Sequence, residues 1–332
     1  MSGPAFILAF VILSAFRDVF FADALRAAPF FTVALIAFAT CTLAFLLVAL
    51  IERERTLRVV FADLRTFLLM NLFTAGAWLS YFQSLRHLEP AVANVLHAGL
   101  GPLTIVMMSA IGWRIVDAGV LTPLEAICQA AMGLCLVGLV AAAWLGLSAA
   151  TGGVTALIGC GFVTVSGVAI TIATLYAKRL HDAGASAAAV VATRFLGVLA
   201  AAAIALSLGP DEARHAATAP ASWTALAPAA FMLMAVPIYL NQIGVKRASP
   251  LTVRVLQALG PVFLIALQTG VGGTKLSGYS LAGVCAYCAI AILAALARMI
   301  SARSGKAGTG FPKRTCASAT SSARAAKLPA RA

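Results

Sequence analysis

Two stretches of the sequence decide the fold: YFQSLRHLEPAVANVLHAGLGPLTIV at residues 81–106 and YLNQIGVKRASPLTVRVLQALGPVFLIA at residues 239–266. Each stretch contains the end of one apolar segment, a short basic turn, a proline, and a second apolar segment interrupted by Gly-Pro. The shared order of these features predicts an internal repeat.

The composition around these stretches is that of a membrane protein. Of 332 residues, 62% are hydrophobic and 11% are charged, less than half of the quarter that is usual in soluble domains. A membrane-spanning helix needs roughly 20 apolar residues, and the apolar pattern ends near residue 300. The long alternation of a membrane β-barrel is absent. We therefore predict an all-α membrane protein with ten transmembrane helices, at residues 4–22, 30–51, 66–85, 91–112, 123–147, 153–176, 185–208, 223–244, 250–271 and 278–299. The first segment lacks a basic start and a cleavage site, so we expect it to be retained.

The repeated stretches fall on predicted spans 3–4 and 8–9, five helices apart. Because five is odd, the second copy must enter the membrane upside down relative to the first. We predict two inverted five-helix repeats, at residues 1–150 and 151–300, followed by a disordered basic cytoplasmic tail at residues 301–332 that has too little apolar surface to fold. Inverted repeats with matched Gly/Pro-broken helices are typical of secondary transporters, which bind their solute near the midplane.

The distribution of Lys and Arg predicts the orientation, because these residues are enriched in cytoplasmic loops. If the N-terminus is cytoplasmic, the inner side holds Arg298, the seven basic residues of the tail, and Arg53, Arg55, Arg58, Arg65, Arg114, Lys178, Arg179, Lys246 and Arg247. The outer loops then hold only Arg26, Arg86, Arg214 and Lys275. We expect a multi-pass protein of the inner (plasma) membrane with both termini in the cytoplasm. The net charge of +13 is explained by this asymmetry and the tail, and we expect no nucleic-acid partner.

The sequence resembles the EamA-type members of the drug/metabolite transporter superfamily over about residues 1–300. The resemblance rests on the aromatic residue that precedes Pro90-Ala91, on Gly-Pro inside spans 4 and 9, and on GGVTALIGCGFVTVSGVAITIATLYAKRL at residues 152–180 and ATRFLGVLAAAAIA at residues 192–205. It implies ten helices, inverted five-helix repeats and alternating-access transport of small organic solutes, often export. Span 2 lacks a counterpart of Arg194, so the first half is the more diverged.

Polar residues follow the proline of each repeated stretch at the same spacing. Asn94 and His97 lie four and seven positions after the first proline, and Arg254 and Gln257 lie four and seven positions after the second. Each pair is spaced i, i+3 and shares a helix face. Because the halves are inverted, the two pairs are expected to enter from opposite sides and to converge on the midplane. The candidate substrate-binding residues are Asn94, His97, Arg194, Arg254, Gln257, Tyr81 and Tyr239.

The Gly-Pro steps are predicted to break both helices beside these pairs. Pro102 cannot bond the carbonyl of Ala98, and Pro261 cannot bond that of Gln257. A freed carbonyl within a membrane must face protein or a water-filled cavity. The predicted helix-break residues are Gly101, Pro102, Gly260 and Pro261.

Each polar residue also has a structural interpretation. Arg254 is close enough to the end of its span to reach the cytoplasmic interface. Asn94 and Gln257 are also compatible with hydrogen bonds between helices. His97 is compatible with a neutral histidine bonded to a neighbouring helix, although its depth favours a role facing the transport pathway.

Arg194 is the residue that costs most to bury. A lone Arg near the centre of a span costs about 2.5–3.5 kcal/mol on insertion scales, so a carboxylate, a cluster of carbonyls or the substrate must compensate for it. Asp18 is expected to pair locally with Arg17. Glu125 is expected to complete a helix-capping box that begins at Thr122.

The ionisable residues predicted within the spans are mostly basic: Arg194, Arg254 and His97. This excess of basic groups favours a solute with a carboxylate or other anionic group. The leading hypothesis is export of amino acids or related carboxylated solutes; the alternative is a multidrug or cation efflux carrier. No ATP-binding motif is present, so a gradient must supply the energy, and His97 is the candidate for proton coupling, although simple exchange is equally allowed. We expect no enzyme activity, no cofactor and no metal site; the sequence leaves the oligomeric state open.

Overall fold

The computed structural model describes residues 2–27, 29–52, 54–113, 122–148, 152–209, 215, 217–271 and 277–308. Within these ranges the regular structure is entirely helical. The helices are α1 (Gly3–Ala27), α2 (Phe30–Glu52), α3 (Glu54–Ala62), α4 (Leu64–Ser84), α5 (Pro90–Ala110), α6 (Pro123–Trp144), α7 (Val154–Asp182), α8 (Ala187–Arg194), α9 (Leu196–Leu208), α10 (Pro220–Ala230), α11 (Val236–Arg247), α12 (Pro250–Gln257), α13 (Gly260–Val271) and α14 (Gly278–Gly308), with a π-helical turn at Phe231–Ala235 between α10 and α11.

The chain is a multi-span helical membrane protein. Eight helical segments of the described chain are long and apolar enough to cross a bilayer, or nine if the bent pair α3–α4 counts as one span. The eight are α2, α5, α6, α7, α8 with α9, α10 through α11, α12 with α13, and α14. Helices α1 and α4 occupy the two remaining predicted positions. The count of ten spans stays a prediction.

The junction between α3 and α4 is a sharp corner of 89°. Asp63 caps the N-terminus of α4, because its carboxylate accepts hydrogen bonds from the backbone N–H of Thr66 at 3.1 Å and from the Thr66 hydroxyl at 2.7 Å. Arg179 approaches the same carboxylate at 3.2 Å. The side-chain and backbone hydrogen bonds of Thr66, and then Arg179, hold the pKa of Asp63 below its usual value of 3.8. The corner therefore stays charged at neutral pH and ties the end of α7 to α4.

Several helices pack in pairs that are distant in sequence. Helix α1 packs along α11, α4 packs along α7, α2 packs against α8 and α9, and α6 packs against α14. Glycines permit the closest approaches: a Cβ on Gly244 of α11 would come within 2.3 Å of Ile7 on α1, and a Cβ on Gly159 of α7 would come within 2.8 Å of Leu88. Small residues of this kind let helices approach in a bilayer, where water does not drive them together.

The seventh predicted span, expected as one helix over residues 185–208, is interrupted near its middle. Helix α8 ends at Arg194, Phe195 leaves the helical conformation with φ −102° and ψ 2°, and α9 starts at Leu196. The side chain of Asn71 on α4 accepts a hydrogen bond from the backbone N–H of Gly197 at 3.0 Å. A side chain from another helix thus satisfies the backbone N–H group of Gly197 at the interruption. Non-helical backbone is tolerated inside a membrane when protein groups satisfy it in this way.

The ninth span breaks beside its Gly-Pro step, whereas the fourth does not. Helix α12 ends at Gln257, a turn follows, and α13 begins at Gly260. Helix α5 instead continues through Gly101 and Pro102 to Ala110, where a break was expected. A proline removes only one hydrogen bond from the helical ladder, and both Gly101 and Pro102 are buried within the continuous helix α5.

Two further expectations concern the helix ends. Thr122 and Glu125 form the predicted capping box at the start of α6, and Arg298 near the end of α14 pairs with Glu125 at 3.2 Å. Helix α14 extends past the apolar region and continues to Gly308. The first eight residues of the segment predicted to be disordered, 301–308, are therefore helical. Residues 309–332 lie outside the described residues, as do Arg53, Arg114, Arg214 and Lys275.

Candidate functional site

A cavity of about 100 Å³ lies at the centre of the helical bundle, between α1, α4, α5, α7, α8, α11 and α12. On the same measure a single water needs roughly 10–15 Å³, so there is room for several waters or for part of a small solute. Five of the seven predicted site residues line this cavity. Its polar lining residues are Ser14, Arg17, Asp18, Asn94, His97, Thr174, Arg194, Asn241, Arg254 and Gln257.

Arg254 is held at the cavity wall and does not extend to the membrane interface. It is 4% exposed, and its guanidinium donates to the Thr174 hydroxyl at 2.6 Å and to the backbone carbonyl of Ile170 on α7. It also donates to Gln257 Oε1 at 2.9 Å, and the Gln257 amide donates to Asn241 Oδ1 at 2.8 Å. The i, i+3 pair predicted on α12 is therefore joined into one network whose acceptors are all neutral.

The two repeated stretches meet through their glycines. A Cβ on Gly101 of α5 would lie 2.9 Å from Cδ of Arg254, and a Cβ on Gly260 of α13 would lie 3.5 Å from Oδ1 of Asn94. Each glycine thus faces the first member of the polar pair on the other stretch. This contact brings Asn94 and Arg254, 160 residues apart in sequence, into one site.

Asn94 is bonded to a partly buried carboxylate on α1. Its amide donates to Asp18 Oδ2 at 2.9 Å, while Asp18 Oδ1 accepts two hydrogen bonds from Arg17 at 2.7 and 2.9 Å. The Arg17 guanidinium also lies over the Trp78 ring, 5.3 Å from its centroid. The local pairing of Arg17 with Asp18 is as predicted, yet both residues face the cavity. Asn94 Oδ1 is buried, and no described residue donates to it.

His97 is oriented by a serine on α7. Its Nδ1 lies 2.9 Å from the Ser166 hydroxyl, and that hydroxyl donates its proton to the carbonyl of Ala77 at 2.7 Å. Ser166 has one proton to donate, so Nδ1 of His97 must be the donor in their contact. The ring packs against Tyr81 with centroids 4.7 Å apart. This arrangement leaves Nε2 of His97 to accept a proton or a hydrogen bond from a solute.

Arg194 faces the cavity without a counter-charge. It is 3% exposed, and its Nε is buried with no hydrogen-bond partner within the described chain. The guanidinium lies over the face of Phe195, 5.4 Å from the ring centroid. No described carboxylate or carbonyl forms a hydrogen bond or ion pair with Arg194, and Asp18, which lines the same cavity, pairs with Arg17 instead. The cavity and what enters it are left to solvate the guanidinium.

The two tyrosines of the predicted set lie outside the cavity lining. Tyr81 is 6% exposed and lies behind Asn94 and His97, with its hydroxyl 3.5 Å from the Asn94 amide. Tyr239 stacks on Phe45, with ring centroids 4.7 Å apart. Ile238 and Asn241 on the same helix line the cavity. Because successive helical residues are rotated by about 100°, Tyr239 lies on a different face of α11 from these two residues.

Sequence reasoning did not place four of the polar lining residues at the site, namely Ser14, Arg17, Asp18 and Asn241. Asn241 occupies the position in the second stretch that Gln83 has in the first, two residues after the tyrosine, and this correspondence was a usable signal. Asp18 was noticed, but its pairing with Arg17 suggested a purely local role. The approach of Asn94 to Asp18 depends on how α1 and α5 pack, which no local pattern encodes.

Comparison with known proteins identifies the fold and no more. No protein-family profile matches the chain, and no curated protein does. One similar solved structure, described only as "Crystal structure of protein", is 22% identical with a TM-score of 0.64, and the alignment covers 92% of this chain and 98% of that one. The chain therefore shares its fold with a solved protein along almost its whole length.

Proposed function

We propose that the protein is a secondary transporter of the EamA type that moves small carboxylated solutes, such as amino acids, across the cytoplasmic membrane by alternating access. In this proposal ten spans form two inverted repeats, both termini are cytoplasmic, and the central cavity is the solute site. A gradient or an exchanged solute supplies the energy.

The packing of the helices supports the repeat. If span 1 corresponds to span 6 and span 3 to span 8, the pairing of α1 with α11 becomes equivalent to the pairing of α7 with α4. By the same correspondence, span 2 (α2) exchanges with span 7 (α8–α9), and span 5 (α6) exchanges with span 10 (α14). Each of these two contacts therefore joins a helix to its own equivalent in the other half. The reciprocal contacts of Gly101 with Arg254 and of Gly260 with Asn94 follow the same exchange. A two-fold relation between the halves explains all of these contacts.

The observation that carries the function is the uncompensated Arg194. An arginine without a partner is expensive inside a membrane and marks a functional site by default. Here its guanidinium lies at a cavity with room for part of a small solute, next to an interrupted helix. A carboxylate fits the planar fork of a guanidinium with two parallel hydrogen bonds, so a carboxylated solute is the ligand that this side chain recognises best.

His97 supplies a route for coupling to protons. Its Nδ1 is engaged by Ser166, while Nε2 makes no hydrogen bond with a described residue and is therefore available at the cavity. Histidine is the side chain whose unperturbed charge changes near neutral pH. We expect a pH gradient to alter transport by the wild type and to have no effect in His97→Ala.

The test of the function is transport of a labelled amino-acid panel into proteoliposomes by Arg194→Gln and Arg194→Lys. We expect Arg194→Gln to abolish transport and Arg194→Lys to retain a small part, because Lys keeps the charge but not the fork. Arg86→Gln, which alters an exposed turn residue bonded to Gln83, is the control and should transport normally.

Thermal stability of the same variants separates a binding role from a structural one. Removing an uncompensated buried charge should leave the melting temperature of Arg194→Gln in detergent unchanged or raised. Normal transport by Arg194→Gln, or loss of transport with a large fall in melting temperature, would contradict the assignment.

The alternative, efflux of cationic drugs, has one observation in its favour. Asp18 places a carboxylate in the cavity beside the aromatic ring of Trp78, and both groups attract cations. However, Arg17 already pairs with Asp18 at 2.7 Å and covers the Trp78 ring. A cation would have to displace this arginine, so we rank the alternative second.

A further inference from the structure

The cavity carries more positive charge than its own carboxylate, Asp18, can neutralise. Three guanidinium groups and one carboxylate line it, which leaves a net charge of +2 with His97 neutral. Asp18 is bonded to Arg17 and Asn94, and neither hydrogen bond involves the other two arginines. The excess charge therefore belongs to Arg194 and Arg254.

These two arginines, the two positive poles of the cavity, come from different helices and share no acceptor. Arg194 ends α8, and Arg254 lies on α12. The acceptors of Arg254 are a hydroxyl, an amide oxygen and a backbone carbonyl, and Arg194 shares none of them. Both side chains are nine-tenths or more buried, and each has an Nε without a partner in the described structure. Two like charges in a poorly solvated site repel each other strongly unless anions lie near both.

We infer that the cavity binds solutes with two separate anionic groups, one at Arg194 and one at Arg254. This inference rests on the proposed function and narrows its substrate class from carboxylated solutes to dicarboxylates, with or without an amino group. Asn94 Oδ1, buried and without a donor among the described residues, lies in the same cavity and is the acceptor that an amino group on such a solute would meet.

The test is competition between small anionic solutes in proteoliposomes that contain the full chain: two four-carbon acids and a three-carbon phosphate ester. Butyrate carries one carboxylate, succinate carries two, and glycerol 3-phosphate carries both charges on one phosphate group. We expect succinate to inhibit uptake of a labelled transported amino acid at a concentration about tenfold or more below that needed for butyrate, the effect of one charge-assisted contact. Glycerol 3-phosphate should inhibit less well than succinate.

The second part of the test repeats the competition assay with the variant Arg254→Gln. It should weaken inhibition by succinate about tenfold or more and leave inhibition by butyrate within about twofold, because butyrate needs only the pole at Arg194. Thr164→Ala is the matched control, since its hydroxyl bonds only the carbonyl of Cys160 on its own helix. A melting temperature of Arg254→Gln close to that of the wild type establishes that the variant is folded.

The outcomes separate this inference from the proposed function. If butyrate and succinate inhibit equally while transport still depends on Arg194, the function stands and the two-pole site is wrong. If glycerol 3-phosphate inhibits better than succinate, the charges are bound at one point and the inference also fails. If no anionic solute inhibits and Arg194→Gln transports normally, the proposed function fails with it.

Discussion

At the scale of single residues, the site is organised by side chains whose partners come from distant helices. Ser166 is the clearest case, because its hydroxyl joins His97 on α5 to the backbone of Ala77 on α4. It is fully buried and bears no charge. Its contribution is to decide which nitrogen of His97 is left for the cavity, and such second partners commonly set the chemistry of a histidine.

Replacement of Ser166 tests this role. In Ser166→Ala the Nδ1 proton of His97 loses its acceptor, so the ring is free to turn and either nitrogen can carry the proton. We expect proton-driven uptake to fall by roughly tenfold, the effect of about 1.4 kcal/mol, while exchange without a pH gradient falls less. Thr164→Ala on the same helix should behave as the wild type. Equal losses in both assays would indicate that Ser166 only maintains packing.

At the scale of helices, the site depends on how closely α5 approaches α12. Gly101 lies at this approach, and its missing side chain makes room for Arg254, since a Cβ there would lie 2.9 Å from Cδ of Arg254. Arg254 cannot move away freely, since Thr174 and the carbonyl of Ile170 hold its guanidinium. The contact between two helices therefore sets the position of a charge.

Gly101→Ala should displace this charge. We expect a weaker apparent affinity for the transported solute, by about tenfold, together with some loss of thermal stability, because an extra methyl group in a well-packed contact typically costs about 1–3 kcal/mol. Gly138→Ala on α6 is the control, since a Cβ there meets nothing within 4 Å. The measurement is the concentration dependence of uptake. An unchanged affinity in Gly101→Ala would show that the position of Arg254 does not matter for binding.

The helices also show how far the sequence predicts this protein. Spacing after the prolines was sufficient to place Asn94, His97, Arg254 and Gln257, because a helix maps sequence spacing directly onto one face. The interruption of the seventh span at Arg194 was not predictable in this way. It depends on Asn71, 126 residues earlier in the chain, which bonds the backbone at the break. Contacts of that kind depend on tertiary packing.

At the scale of the whole molecule, the proposal requires the two halves to have opposite orientations. Arg86 lies in the turn that follows α4, whereas Lys246 and Arg247 are the last residues of α11. In an inverted repeat these equivalent helix ends lie on opposite sides of the membrane. We expect a cysteine at position 86, in a background without native cysteines, to react with an impermeant maleimide added to intact cells. A cysteine at position 246 should react only after the membrane is opened. Labelling of both from one side would contradict the inverted arrangement.

The proposed function requires that the cavity around Arg194 binds anionic organic solutes. The most direct measurement is counterflow in proteoliposomes of the wild-type protein, with labelled carboxylated solutes and labelled quaternary ammonium compounds compared under the same gradient. We predict accumulation of carboxylated solutes and none of the quaternary ammonium compounds above empty liposomes. Accumulation of the cations without any carboxylated solute would contradict the account.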